Sequence, residues 1–445
     1  MLSRRLARLI DARDDELAAA LWAFAYFFCL LAGYYVLRPL RDEMGIESGV
    51  ENMQWLFTAT FVGMLLVVPL FGALSARVRR SRLVPLAYAF FVLNIIIFWA
   101  LFRSVADPAW IARAFFVWVS VYNLFVVSVF WSFMADLFRR EQARRLFGFV
   151  AAGGSAGAIA GPALAAALAQ PLGPVNLLLP SAALLVAATL CAMRLARWAR
   201  IVRAGEPKDA GDDLAAHDAP MGGSIWAGIR LVLASRYLQG ICVFLFLYTA
   251  VSTFLYFQQA HVVEDAIADP ALRTTVFAGM DFATNALALL TQLFLTGRIA
   301  TRLGLAWTLA LVPLISVAGL AALAVAPLLP VLVVVQVLRR AGNFSITRPA
   351  REMLFTVLDA ESKYKAKNFI DTAVYRGGDA ATGWLVAAII AAGAGTGGIA
   401  LLALPFAAAW VWLAYRLGDN FEKLPQAARA TGARPRPGDT VEERI

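Results

Sequence analysis

Histidine and cysteine are almost missing from this sequence, and the sites they build are missing with them. The only histidines in 445 residues are His217 and His261, both in segments that read as loops, so no metal site is expected. Cys29, Cys191 and Cys242 each fall inside an apolar run and offer neither a disulfide framework nor a metal-ligand spacing. Charge is scarce as well. Asp, Glu, Lys and Arg make up 16% of the chain, against about 25% in a soluble protein. No hydrolase triad and no Gly-Lys-Ser/Thr phosphate loop occurs, so neither an enzyme nor an ATP-driven pump is expected, and no cofactor is implied. Nor is a cleavable leader expected, since residues 1–17 are polar and basic and run straight into an apolar span.

What the chain does have is apolar residues, 61% of the total, with a mean hydropathy of +0.69. Apolar runs of about twenty residues, the length that crosses a bilayer, recur from end to end. The expected fold is an all-α polytopic membrane protein with twelve transmembrane helices. They fall near 18–38, 52–74, 82–102, 111–134, 146–169, 176–197, 237–259, 274–296, 304–326, 329–352, 367–392 and 397–417.

The net charge of +10 does not imply nucleic acid, because the arginines collect in alternate loops. Arg4, Arg5, Arg8 and Arg13 precede the first span; Arg77, Arg79, Arg80 and Arg82 fill the second loop. Arg139, Arg140, Arg144 and Arg145 fill the fourth, and Arg194, Arg197, Arg200, Arg203 and Lys208 the sixth. The other loops are acidic or uncharged, with Asp42, Glu43, Glu47 and Glu51 in the first and Glu264, Asp265 and Asp269 in the seventh. This bias puts both termini in the cytoplasm of a cell bounded by a bacterial inner membrane.

The longest polar interval divides the spans six plus six. The expected domains are 1–198 and 237–417, two six-helix bundles, joined by a cytoplasmic linker at 199–236 and followed by a tail at 418–445. The halves echo each other: LFGALSARVRRSRLVPL (70–86) follows span two as LFLTGRIATRLGLAWTL (293–309) follows span eight. Six-helix halves around a midplane site are the plan of major facilitator transporters, though Ala76 stands near the usual acidic residue of the loop-two motif.

The charges inside spans carry the functional expectations. Arg339 and Arg340 lie roughly 13 Å into span ten at 1.5 Å per residue, near the middle of the hydrocarbon slab. A centred arginine costs about 2.5–3.5 kcal/mol on insertion scales, so each needs a partner or a watery cavity. Arg340, Asn343, Thr347 and Arg351 share one face that suits an anion, while Arg348 and Arg351 also read as boundary residues that snorkel. In span eleven, Asp371, Tyr375, Asp379 and Thr382 line one side, and Arg376 pairs with Asp379 or binds solute. Asp281 in span eight is a counter-ion or proton carrier. Tyr34, Arg38 and Arg41 share a face of span one, with Arg38 deep enough for a cavity mouth. Tyr248, Ser252, Tyr256 and Gln259 form a polar face on span seven. Gly153, Gly157 and Gly161 let another helix close on span five.

Three blocks, LRPLRDEMG after span one, SVFWSFMAD in span four and SITRPAREM…LDAESKYKAKNFID across spans ten and eleven, resemble the ATP/ADP translocase (nucleotide transporter) family. That family has the major facilitator architecture. The resemblance covers most of the chain and is most specific in the last block. There Arg348, Pro349, Arg351, Glu352, Met353, Leu358, Asp359, Lys363, Lys365, Lys367, Ile370 and Asp371 occupy the family's places. It implies substrate roles for Lys365 and Lys367, and for Arg41, which stands where the family has a functional lysine. The departures are specific: the family's glutamates of spans four and seven have no equivalent, and Asp379 replaces a lysine.

The expected function is secondary transport by alternating access of an organic anion such as a nucleotide or phosphorylated metabolite. Tyr34, Arg38, Arg41, Arg340, Asn343, Lys365, Lys367 and Arg376 would hold it, and Asp281 and Asp379 would couple protons or balance charge. A monomer is expected, with the bilayer as its other partner. Two alternatives remain open: a proton-coupled carrier of a non-nucleotide solute, and a non-transporting scaffold with a transporter fold.

Overall fold

Inside lipid every backbone N–H and C=O must be satisfied within the chain, and helices do this segment by segment. The computed structural model follows that demand. It describes residues 13, 16–77, 80–105, 107–138, 140–204, 225–357, 366–367 and 369–423, and these hold helices and no strand. The long helices are α1 (Leu17–Glu47), α2 (Met53–Arg77), α3 (Arg80–Ser104), α4 (Ala109–Leu137), α5 (Arg140–Leu172) and α6 (Leu178–Ala204). A short helix, Ile225–Ala234, precedes α7 (Arg236–Ala266), α8 (Pro270–Phe294) and α9 (Thr296–Val325). The tenth, α10, is built of Leu329–Gly342, a π-helical turn Asn343–Thr347 and Arg348–Leu354. In α11 a π-helical turn Ile370–Val374 leads into Tyr375–Ala391, and α12 is Thr396–Glu422. Among the described residues eleven of these helices are long and apolar enough to cross a membrane. The exception is α11, which carries Asp371, Arg376 and Asp379.

The chain forms two compact units. The first comprises Met1–Ser48, Leu66–Met221 and Asp269–Phe282; the second comprises Gly49–Leu65, Gly222–Ala268 and Ala283–Ile445. The units repeat one packing scheme. In the first, α1 lies against α5 and α6, and α3 against α6; in the second, α7 lies against α11 and α12, and α9 against α12. Two helices are split between the units. The start of α2 belongs with the second, and the start of α8 belongs with the first.

The small face of α5 is used as its spacing implies. A β-carbon on Gly153 or Gly161 would sit 2.5 Å from the carbonyl oxygen of Phe24 or Ala32 on α1, and one on Gly157 would strike that of Phe28. Beside this contact the first unit packs an aromatic core. Phe27 stacks on Phe130 at 4.1 Å, and the hydroxyls of Tyr26 and Tyr88 meet at 2.5 Å.

Two loop expectations need correction. The acidic stretch after span one is not a loop, because α1 continues to Glu47 and takes Asp42, Glu43 and Glu47 into the helix. Asp42 and Glu43 are buried there, each beside an arginine, so the helix can extend without exposing them. Likewise α7 continues to Ala266, with His261, Glu264 and Asp265 inside it; His261 Nδ1 lies 2.8 Å from the Phe257 carbonyl oxygen. His217, Lys208, Arg139 and most of the linker and tail fall outside the described residues.

At the other end of α1, Glu16 ties two helices together. It is 2% exposed and accepts from the Arg13 backbone N–H at 3.0 Å, Gln142 Nε2 at 2.9 Å and Arg145 Nη2 at 3.0 Å. Burial raises its pKa, but the backbone bond, Gln142 and Arg145 together outweigh that, and the carboxyl titrates below the ordinary glutamate range. The linkage sign follows from the lowered value. The folded state is favoured above the ordinary range, and that advantage disappears as pH falls through the folded value. E16Q should therefore lower the thermal midpoint of purified protein at neutral pH by the equivalent of about 1–3 kcal/mol. The deficit against wild type should shrink on acidification; a deficit that grows toward low pH would refute the tether.

Candidate functional site

In the first unit the polar residues gather where α1 meets the first turns of α8. Both helices place charge at helical spacing, and each supplies both signs. Arg38 Nη1 lies 3.4 Å from Asp281 Oδ1, and Glu43 Oε1 lies 3.5 Å from Arg273 Nη1. Asp281 is 1% exposed and Glu43 0%, so these are ion pairs removed from water. Among the described residues neither oxygen of Glu43 has a hydrogen-bond partner. Arg38 is also held over the ring of Tyr35 at 5.7 Å. Arg41 turns away from this pair. Its Nε and Nη2 donate to Asp42 Oδ1 at 3.1 and 2.8 Å, its Nη1 to Ser120 Oγ at 3.4 Å, and the guanidinium covers Phe116. Tyr34 is buried with its ring 5.1 Å from that of Tyr35.

In the second unit the polar face is built by α7, α10 and α11. Arg339, 5% exposed, donates from Nη1 to Ser252 Oγ at 2.7 Å and from Nη2 to Gln336 Oε1 at 2.8 Å. Gln336 Nε2 in turn donates to Gln259 Oε1 at 2.8 Å and to the Leu255 carbonyl at 3.2 Å. One turn on, Asn343 Nδ2 donates to Tyr248 Oη at 3.0 Å, and Tyr248 stands 6.0 Å from Tyr375 and 5.6 Å from Trp410. Arg376 covers Tyr375 at 5.3 Å and pairs with Asp379 Oδ2 at 3.5 Å, while Thr253 Oγ1 donates to Asp379 Oδ1 at 3.2 Å.

The π-helical turn of α10 has a readable cause. Pro349 has no N–H to return to the Ser345 carbonyl four residues back, and Arg348 N–H bonds to Asn343 and so passes over Phe344. Two carbonyls are thus released in an apolar setting. Gln292 Nε2 donates to that of Phe344 at 3.2 Å, and Thr296 Oγ1 to that of Ser345 at 2.9 Å. A second π turn opens α11 at Ile370–Val374, next to the other charged stretch. Both breaks sit beside the polar face, as such turns often do at working sites.

Where the lysine run ends, Lys367 Nζ lies 2.6 Å from Glu352 Oε2, and Arg351 Nη2 lies 3.4 Å from Asp371 Oδ1 and 3.6 Å from Glu352 Oε1. Lys363 and Lys365 fall outside the described residues. The sequence-derived site residues therefore fall in two places. Tyr34, Arg38, Arg41 and Asp281 belong to the first unit; Arg340, Asn343, Lys367, Arg376 and Asp379 belong to the second. The sequence places Arg340, with Asn343, on the polar face of span ten. Arg340 is the more exposed of the two, and Arg339 is the one enclosed by polar side chains of α7 and α10. Among the described residues no cluster of His, Cys, Asp and Glu could hold a metal.

Residues 17–350 match the sequence profile of the Major Facilitator Superfamily. No curated protein sequence matches the chain. Three solved structures show the same fold. A bacterial homologue of the iron transporter ferroportin, in an inward-facing state, has a TM-score of 0.64 at 14% identity over 92% of this chain and 99% of its own. The nucleoside transporter NupG gives 0.59 at 13% over 93% and 100%. A bacterial homologue of the human lysosomal transporter Spinster, also inward-facing, gives 0.56 at 13% over 92% and 98%.

Proposed function

Because the chain belongs to the Major Facilitator Superfamily, and is thus a multi-pass secondary transporter, we propose that its solute is an organic anion carried by alternating access. A nucleotide or phosphorylated metabolite is the leading candidate. The observation that carries this reading is the buried polar face of α7, α10 and α11, where guanidinium, amide, hydroxyl and aromatic groups converge within one unit. Apolar helices have no packing reason to assemble such a group, and a guanidinium recognises carboxylate and phosphate through paired N–H donors.

The resemblance of the SITRPAREM…KAKNFID block to the ATP/ADP translocase family adds weight to a nucleotide. The aromatic trio Tyr248, Tyr375 and Trp410 would suit its ring. The positive loops favour a bacterial inner membrane with both termini in the cytoplasm, and a monomer suffices for the mechanism.

A second reading has its own support. Asp379 stands where the nucleotide carriers have a lysine, and its pairing with Arg376 and Thr253 suits a carboxylate that takes up and releases a proton. The carrier would then be proton-coupled, with a solute other than a nucleotide. A scaffold without transport has no use for charges buried this deeply.

Reconstitution decides among them. Proteoliposomes loaded with ADP should take up labelled ATP by exchange, and the same vesicles should be tested with sugar phosphates and dicarboxylates. Uptake of none of these anions, under exchange or an imposed proton gradient, would refute the anion reading.

A further inference from the structure

Arg339 is a buried cation whose described partners are all neutral. Among the described residues it donates to the hydroxyl of Ser252 and the amide oxygen of Gln336, the neutral Tyr248 hydroxyl lies beside it, and its Nε has no partner. Among the described residues no carboxylate lies within ion-pair distance of it. Five other buried or half-buried cations differ, since Arg38, Arg273, Arg351, Lys367 and Arg376 each have a carboxylate within 3.6 Å. A guanidinium carries five N–H donors, and here Nε at least remains for something else.

Neutral partners orient a guanidinium without cancelling its charge. Gln336 is itself fixed by Gln259 and by the Leu255 carbonyl, so the side chain is held by a braced amide and a hydroxyl. This is the construction of a preorganised receptor for an anion, in which the counter-charge comes with the ligand. A cation left in a low-dielectric setting with no counter-charge costs stability, which a purely structural arginine would avoid by an acidic neighbour.

We infer that Arg339, braced by Ser252, Gln336 and Gln259, receives the anionic group of the solute, a carboxylate or a phosphate. Asn343 and Tyr248, one turn away, face the uncharged part. The inference rests on the organic-anion reading above and names the residue that reads the charge.

The experiment measures binding to purified full-length protein, with ADP, a sugar phosphate and a dicarboxylate as anionic probes and adenosine as the uncharged one. R339Q should weaken the best anionic probe by about tenfold to a hundredfold and leave adenosine within about twofold. R339K, which keeps a point charge and loses the paired donors, should fall between them. R339Q should also melt at or above the wild-type temperature without ligand, since it removes an uncompensated charge, and should lose the anion-induced rise in melting temperature.

If wild type binds an anion and R339Q binds it equally well, or loses anion and adenosine alike, the assignment of Arg339 is overturned while the anion reading stands. If wild type binds no anion, the reading falls and the inference with it. Should R339Q fail to fold, R339K decides: undiminished anion affinity in R339K overturns the paired-donor contact.

Discussion

Alanine at Asp281 should abolish transport and lower the stability of the purified protein by about 3–5 kcal/mol. The figure follows from burial. Asp281 is 1% exposed and its partner Arg38 has a side chain 18% exposed, so removing the carboxylate strands a guanidinium with little water to take its place. The transport loss follows from position, because the pair joins α1 to the first turns of α8 inside the first unit, whereas the rest of α8 belongs to the second. Without the pair, the N-terminal part of α8 loses the ion pair that ties it to α1. R38A should resemble D281A. The reversed double variant R38D/D281R should recover at least about a tenth of transport, since it restores an ion pair of the same length. If the reversal recovers folding, read as the thermal midpoint, and no transport, the two side chains act on solute individually. R273A should cost stability on a similar scale, because it strands Glu43, which is 0% exposed and paired with Arg273.

That pair also shows where sequence reading succeeds and where it stops. Hydropathy finds the spans because the bilayer imposes their length and composition residue by residue. Its failures come where tertiary contact alters the energetics. Arg41, Asp42 and Glu43 look like a solvent loop, yet pairing with one another and with Arg273 lets α1 run on to Glu47. Asp281 was legible as an ion-pair partner or proton carrier because an acid in an apolar span needs one, but no spacing rule could say that Arg38 answers it across 243 positions of sequence, from 38 to 281.

The choice between Arg339 and Arg340 was closed to sequence for a different reason. Neighbouring residues on a helix point about 100° apart, and the flanking sequence marks the side of Arg340, with Asn343, Thr347 and Arg351, as the polar one. Only the packing of α7, which brings Ser252 and Gln259 to that side, shows that Arg339 is the one enclosed by polar side chains. The π turns leave a fainter trace still. Pro349 announces a missing N–H, but the residues that cover the released carbonyls, Gln292 and Thr296, come from α8 and α9. By contrast the glycine spacing of α5 was fully legible, since a close approach needs only the absence of a side chain, and that is written at each position.

Replacing Asp379 with asparagine is the other change expected to have a large effect, and its effect should be selective. Asparagine keeps the side-chain outline and can still accept from Thr253, but it removes the charge opposite Arg376. Arg376 is 33% exposed on its side chain and remains stacked on Tyr375, so water can replace much of what the carboxylate supplied. The stability loss should therefore stay below that of D281A, because the stranded partner, Arg376, keeps its access to water. Transport should divide. If Asp379 carries the coupling proton, D379N vesicles lose uptake driven by an imposed proton gradient by at least about tenfold, while exchange of internal for external solute continues near the wild-type rate. A carboxylate that binds solute directly would instead lose both modes together, and an obligate exchanger would show no gradient-driven uptake even in wild type. Thr253→Val tests the same site from the other side. It leaves the charge and removes one hydrogen bond to it, worth about 1.5–3 kcal/mol to the ionised form. Gradient-driven uptake should fall in T253V by less than in D379N, without loss of exchange. Undiminished gradient-driven uptake in T253V, alongside intact coupling in D379N, would remove Asp379 from the proton path.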